Sequence, residues 1–150
     1  MSTQHLINSM KAQAENLDQL IQTLEDQKLA ITKNDYTALE QTISSEQILL
    51  RKLEDEENNR IKAVKEIGKQ FNLELSDYSL EKMIDKGENF FGKEMNELLR
   101  LRSVLKEKAN SVKNRNTQLR DVIEFSRGLI KETLLMAAGT NKHLLVNKRV

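Results

Sequence analysis

Catalysis needs nucleophiles, acid–base groups or metal ligands held in register, and this chain of 150 residues is short of all three. It has no cysteine, which excludes thiol nucleophiles, thiolate zinc sites and disulfides. Its two histidines, His5 and His143, stand at opposite ends of the chain. Helical bundles hold di-iron centres with a Glu three residues before a His, but Ser2 and Thr140 occupy those places. The five glycines are scattered and form no phosphate loop. The densest carboxylates lie between Glu54 and Glu57, inside a stretch to Arg60 without one apolar side chain, the pattern of a polar helix face. The sequence therefore predicts no enzyme, no catalytic or metal-binding residue and no cofactor.

The elements that would position any site are helical. Proline is absent and glycine scarce, so the turn chemistry that a β-sandwich or barrel requires is missing. From Ile7 the apolar residues Met10, Ala14, Leu17, Ile21, Leu24 and Ile31 follow heptad spacing and form one stripe down a helix. Asn34 tolerates the left-handed conformation that ends helices, and Asp35 can cap the next. A second stripe runs through Leu39, Ile43, Glu46, Leu50, Leu53, Glu57, Arg60, Val64, Ile67 and Phe71. Its polar part, Glu54 to Arg60, is either solvated or meets polar groups on a neighbour. With so little apolar area it is expected to be the loosest part of the molecule. Ser76 or Asp77 would cap a short helix, and Phe90-Phe91 would plug one end of the core. Met83, Met95 and Met136 are expected to fill gaps in packing rather than to give adaptable surfaces for several partners.

A third stripe, from Met95 through Leu98, Leu105, Val112, Leu119, Ile123 and Ile130 to Leu134, is the longest. The expected architecture is all-α: an elongated antiparallel three-helix bundle or coiled coil, with a short extra helix between the second and third long helices. Helices over about 4–33, 36–72, 77–86 and 93–138 form one domain, 1–139, followed by a tail, 140–150. At 1.5 Å per residue the long helices would measure roughly 45, 55 and 70 Å. They do not match, so the last must bend, break or project.

The formal charge of +1 conceals a gradient. Residues 1–97 carry 12 Lys/Arg against 19 Asp/Glu, and residues 98–150 carry 12 against 4. Either an acidic helix and a basic helix pack beside each other, or the basic part meets an acidic partner. The basic residues from Arg100 to Lys131 spread around the helix without interleaved aromatics, which argues against nucleic acid. No apolar stretch approaches the ~20 residues of a membrane span, so no membrane insertion is expected. The N-terminal residues lack the pattern of a secretory signal, and the expected location is cytoplasmic.

Between Leu119 and Met136 the third helix is apolar on more than one face. One face can pack on the other helices; a surplus, such as Val122, Phe125, Leu129 and Leu135, needs another partner. Beyond Gly139-Thr140-Asn141, a helix stop signal, Leu144-Leu145-Val146 forms a short apolar run between basic residues, either a fraying end or a docking segment.

Four segments give the chain a more specific likeness. They are Leu29-Ala30-Ile31-Thr32-Lys33-Asn34-Asp35-Tyr36-Thr37-Ala38-Leu39; Glu46-Gln47 with the charged run through Glu56-Glu57-Asn58-Asn59-Arg60-Ile61; Val112-Lys113-Asn114-Arg115-Asn116-Thr117-Gln118-Leu119; and Leu144-Leu145-Val146-Asn147-Lys148-Arg149-Val150. In this order and spacing they resemble the FlgN family of flagellar type III export chaperones over essentially the whole chain. The family's loop between the last helix and the terminal motif is nearly absent here. The resemblance implies a cytosolic chaperone that binds the C-terminal helical region of the hook-filament junction proteins FlgK and FlgL. It would prevent their premature assembly and deliver them to the export gate protein FlhA. Client binding would fall to Asn114, Asn116, Leu119, Val122, Ile123, Phe125, Leu129 and Ile130, and gate docking to Leu144, Leu145 and Val146. Asn114 and Asn116 would either fix register by side-chain hydrogen bonds or simply interrupt the apolar stripe. The other reading of the same stripe is a structural coiled-coil adaptor that self-associates, so the oligomeric state is expected to be a monomer or a weak dimer.

Overall fold

A computed structural model describes residues 2–74, 78–88 and 90–140. Among these, four helices account for the regular structure: α1 (Ser2–Thr32), α2 (Tyr36–Gln70), α3 (Leu80–Gly87) and α4 (Glu94–Thr140). The turn from α1 to α2 forms as its residue types require. Asn34 adopts φ 55°, the Asp35 amide donates back to the Ala30 carbonyl (2.9 Å), and the Asp35 carboxylate accepts from the Ala38 amide (3.1 Å). α2 ends in the same way, with Asn72 at φ 55° and the Leu73 amide bonded to the Gly68 carbonyl (2.8 Å).

The short helix departs from expectation at its start. It opens at Leu80, where Ser79 accepts from the Lys82 amide (3.2 Å); Ser76 and Asp77 lie outside the described residues. α4 extends through Gly139 to Thr140, into the expected stop Gly139-Thr140-Asn141, of which Asn141 lies outside the described residues.

α1 packs along both α2 and α4, whereas the backbones of α2 and α4 do not approach each other closely. Contacts give the directions. Ser9 reaches Glu56, and Gln27 reaches Glu46 (2.5 Å), so α1 and α2 are antiparallel. Asp18 pairs with Lys108 and Glu25 with Arg115, both across 90 residues of sequence, so α1 and α4 run parallel. These pairs also answer the charge gradient in part: acidic α1 and basic α4 meet along one edge.

Apolar burial falls into two clusters. The larger gathers Leu6, Ile7 and Met10 of α1, Ala63, Val64 and Ile67 of α2, Met83 and Ile84 of α3, Phe91, and Leu98 and Leu101 of α4. Phe91 closes this end, lying edge-on to Phe71 with centroids 5.9 Å apart. It packs so tightly on Gly87 that a Cβ there would come within 2.3 Å of the ring. Phe90 does only part of the plugging expected of it: it stacks on Phe71 at 5.1 Å but stays half-exposed. The smaller cluster holds Leu20, Leu24 and Leu49, with Leu53, Val112 and Leu119 packed against it. The α2 seam there runs through Leu49, and its expected members Ile43 and Leu50 are exposed. A straight helix drifts about 20° per heptad, and with α1 alone close beside it, α2 turns the side chain next to Leu50 inward.

Between the clusters lies a polar layer. The Ser9 hydroxyl donates to the Glu56 carbonyl (2.8 Å) and the Gln13 amide to the Glu57 carboxylate (3.0 Å). Arg60 chelates Glu57 (2.8 and 2.5 Å) and donates to the Tyr78 carbonyl (2.6 Å). So the polar stretch of α2 meets polar partners on a neighbour, the second of the two sequence alternatives. The Arg60 guanidinium, by hydrogen bond and charge, and the Gln13 amide hold the Glu57 carboxyl below the usual carboxylate range, against the opposing effect of partial burial. A depressed folded-state pKa contributes stability that is fully present above the unfolded carboxyl value of ~4.3 and is lost as pH falls through the folded value. Thermal melts of the wild type and Glu57→Gln should therefore differ most near neutral pH and converge near pH 2. A gap that is constant with pH would contradict the assignment.

Candidate functional site

Register along the α1–α4 pair locates the site. The offset of 90 residues that joins Asp18 to Lys108 and Glu25 to Arg115 brings Thr32, the last residue of α1, level with Val122. α4 continues to Thr140. At 1.5 Å per residue it projects about 27 Å past the α1–α2 turn. Burial follows the register: α4 has side chains buried or half-buried up to Ser126, and every residue from Arg127 to Ala137 is exposed.

This projection carries large apolar side chains. Phe125 is 68% exposed, Leu129 48%, Ile130 61% and Leu134 64%. Leu135 and Met136 are exposed as well, so Met136 does not fill the gap in packing expected of it. Helical spacing sorts them, apart from Leu135 on the opposite side, into two ridges on one half of the helix. Val122, Phe125, Leu129 and Met136 form one; Ile123, Ile130 and Leu134 form the other. Between them stand Ser126 and Thr133, in the line that Leu98, Leu105, Val112 and Leu119 hold within the packed part. The Thr133 hydroxyl is already bonded to the Leu129 carbonyl (2.8 Å), as mid-helix threonines do. The result is a shallow channel with apolar walls and a floor of small side chains. An apolar face this continuous, on a helix held at one end by a packed core, is suited to receiving another helix.

The expected client residues divide along this axis. Phe125, Leu129 and Ile130 lie on the projection and are exposed. Val122 and Ile123 are half-buried at its root. Leu119 packs against the smaller core cluster. Asn114 and Asn116 are exposed but stand upstream, alongside α1. Leu144, Leu145 and Val146 lie outside the described residues. Leu134 was missed, although its place four residues after Ile130 on the same ridge was readable from the spacing.

Other surfaces offer less. An open cleft of about 370 Å³ between α1 and α2 is lined by His5, Asn8, Ser9, Glu56, Asn59 and Lys62 among others. His5 Nδ1 stands 3.9 Å from Glu66 there. Its Ser9 hydroxyl donates to the Glu56 carbonyl. Among the described residues no cluster of three His, Cys, Asp or Glu side chains is arranged to hold a metal ion. Among the same residues no helix is long and apolar enough to cross a membrane.

No curated protein and no solved structure matches the chain. A family model described as FlgN protein matches residues 1–146. That span takes in all four helices and the projecting part of α4. By this match over nearly its whole length, and in keeping with its all-helical fold, the chain belongs to the FlgN family, a family of flagellar export chaperones.

Proposed function

We propose that this protein is a cytoplasmic chaperone for the hook-filament junction proteins FlgK and FlgL, and that it holds their C-terminal helical segment on the projecting part of α4. The observation that carries this reading is the exposed double ridge beyond Val122. A client whose terminal helices assemble through apolar faces needs those faces covered before export, and a helix laid in the channel would cover them. α1, with antiparallel α2 along one side and the first half of α4 along another, serves as the rigid base, a three-helix arrangement centred on α1. Phe125, Leu129, Ile130 and Leu134 are the anchors, and Val122 and Ile123 the root of the seat. Leu119 contributes by fixing that root to the core, and Asn114 and Asn116 border the bundle side of the seat. Leu144, Leu145 and Val146 dock to the export gate protein FlhA.

Co-expression with the C-terminal segment of FlgK or FlgL should yield a complex that survives size-exclusion chromatography. Failure of both segments to co-elute with the full chain would refute the reading.

A further inference from the structure

The basic residues of α4, scattered along the sequence, divide in the structure into two sets. Arg100 pairs with Glu97 (2.8 Å), Lys108 with Asp18 and Arg115 with Glu25, so these three are engaged within the molecule. Lys106, Lys113, Arg120, Arg127 and Lys131 are exposed, and among the described residues their side chains enter no ion pair or hydrogen bond. Three steps of seven residues and one of four set them within about 60° of arc, in a row running roughly 37 Å along the helix. Glu124 is the carboxylate on that arc; Glu107, Asp121 and Glu132 project from other sides of the helix.

This side of α4 changes character where its cover ends. Nearer the start of the helix it carries Met95 and Leu99, which pack against the larger cluster. Of the other helices only α1 and α3 approach α4 closely, and α1 does so along the Lys108–Arg115 side. Beyond α3 the row is therefore bare. The residues between its cations, Asn110, Thr117, Glu124 and Gly128, are exposed and polar or small.

Those neighbours decide the class of partner. A protein interface is centred on aromatic or aliphatic anchors, and the row has none between its charges. No aromatic side chain stands among the cations for bases to stack on. A planar layer of anionic headgroups needs neither, and a straight row can meet it along its whole length. At the far end Leu135, which belongs to neither apolar ridge, stands exposed beside Lys131 and could enter the headgroup boundary. We propose that this row is a peripheral docking surface for an anionic phospholipid bilayer. The contact is electrostatic and superficial, since among the described residues no helix is long and apolar enough to cross a membrane. It goes beyond the chaperone reading and does not depend on it, because the row faces about a third of a turn away from the channel floor of Ser126 and Thr133.

Cosedimentation of the full chain with vesicles tests this. Vesicles with roughly one-third phosphatidylglycerol in phosphatidylcholine should bind the protein at low salt, and pure phosphatidylcholine vesicles should not. The binding should vanish in about 0.5 M salt. Lys113→Glu with Arg120→Glu should lower it at least about tenfold. Arg51→Glu with Lys52→Glu, exposed on α2, makes the same change in net charge off the row and should leave most of the binding in place. Circular dichroism should be the same for all three proteins, since every substituted side chain is exposed. No sedimentation with the phosphatidylglycerol vesicles, equal sedimentation with both vesicle types, or equal losses in the two variants would overturn the proposal. So would tighter binding to a short DNA duplex than to the anionic vesicles at the same salt.

Discussion

Replacing Phe125 and Leu129 together by aspartate should abolish client binding and leave the melting temperature almost unchanged. Both side chains stand on the projection of α4 and are exposed in the free protein. Folding therefore gains little from them, and exposed substitutions usually shift stability by no more than ~0.5 kcal/mol. In a complex the same side chains would be buried against the client helix. Losing a buried Phe and Leu removes roughly 2 kcal/mol each, and leaving a carboxylate against an apolar face adds to the loss. The affinity should fall at least about 100-fold, readable by titration calorimetry with the C-terminal segment of FlgK or FlgL. Circular dichroism of the free variant supplies the second readout. Unchanged binding would remove these two anchors from the site. A variant that no longer folds would show that the projection is part of the core.

Alanine at Leu98 and alanine at Leu134 should give opposite outcomes, although both replace leucine on α4. Leu98 is fully buried in the larger cluster, packed among side chains of α1 and α2. Its truncation loses transfer free energy and leaves a cavity that the neighbouring helices cannot close, about 2–5 kcal/mol together. For a chain of this size each kcal/mol is worth roughly 2–4 °C in melting temperature, so a large drop is expected. Leu134 is mostly exposed, and alanine is the better helix former, so Leu134→Ala should be neutral or slightly stabilising. Client binding should show the reverse ranking when measured below the melting range of both variants: weakened by Leu134→Ala, preserved in Leu98→Ala. Two equal melting temperatures would contradict the division of α4 into a packed half and a projecting half.

Much of this division was legible in the residues. The heptad from Ile7 to Ile31 gave the length of α1, and Asn34-Asp35 marked its turn, because few residue types tolerate that backbone and cap the next helix. The mismatch in helix lengths required that α4 bend, break or project, and the excess of apolar residues after Leu119 gave the place. What periodicity does not contain is the neighbour. Leu49 and Leu50 adjoin in sequence, and a strict heptad selects Leu50; the structure buries Leu49, since only contact with Leu20 and Leu24 decides the phase. The 90-residue register between α1 and α4 depends on the pairs Asp18–Lys108 and Glu25–Arg115, which no local pattern joins. Without that register Leu119 and Phe125 look alike. With it, one belongs to the core and the other to the seat.

The polar stretch of α2 shows the same limit. Composition alone could not decide between a solvated face and a polar joint, since both need the same residue types. Gln13 and Ser9 decided it from the opposite helix. The seven residues without an apolar side chain are accordingly a connection between two apolar clusters.

Amide hydrogen exchange on the full chain, with and without the C-terminal segment of a junction protein, tests the central claim most directly. The free protein should exchange rapidly over residues 122–140 and slowly over the α1, α2 and α4 segments that supply the larger cluster. Added client should protect 122–140 and change the rest little. Protection confined to the α1–α2 cleft around His5 and Asn59, with 122–140 exchanging as before, would contradict the account.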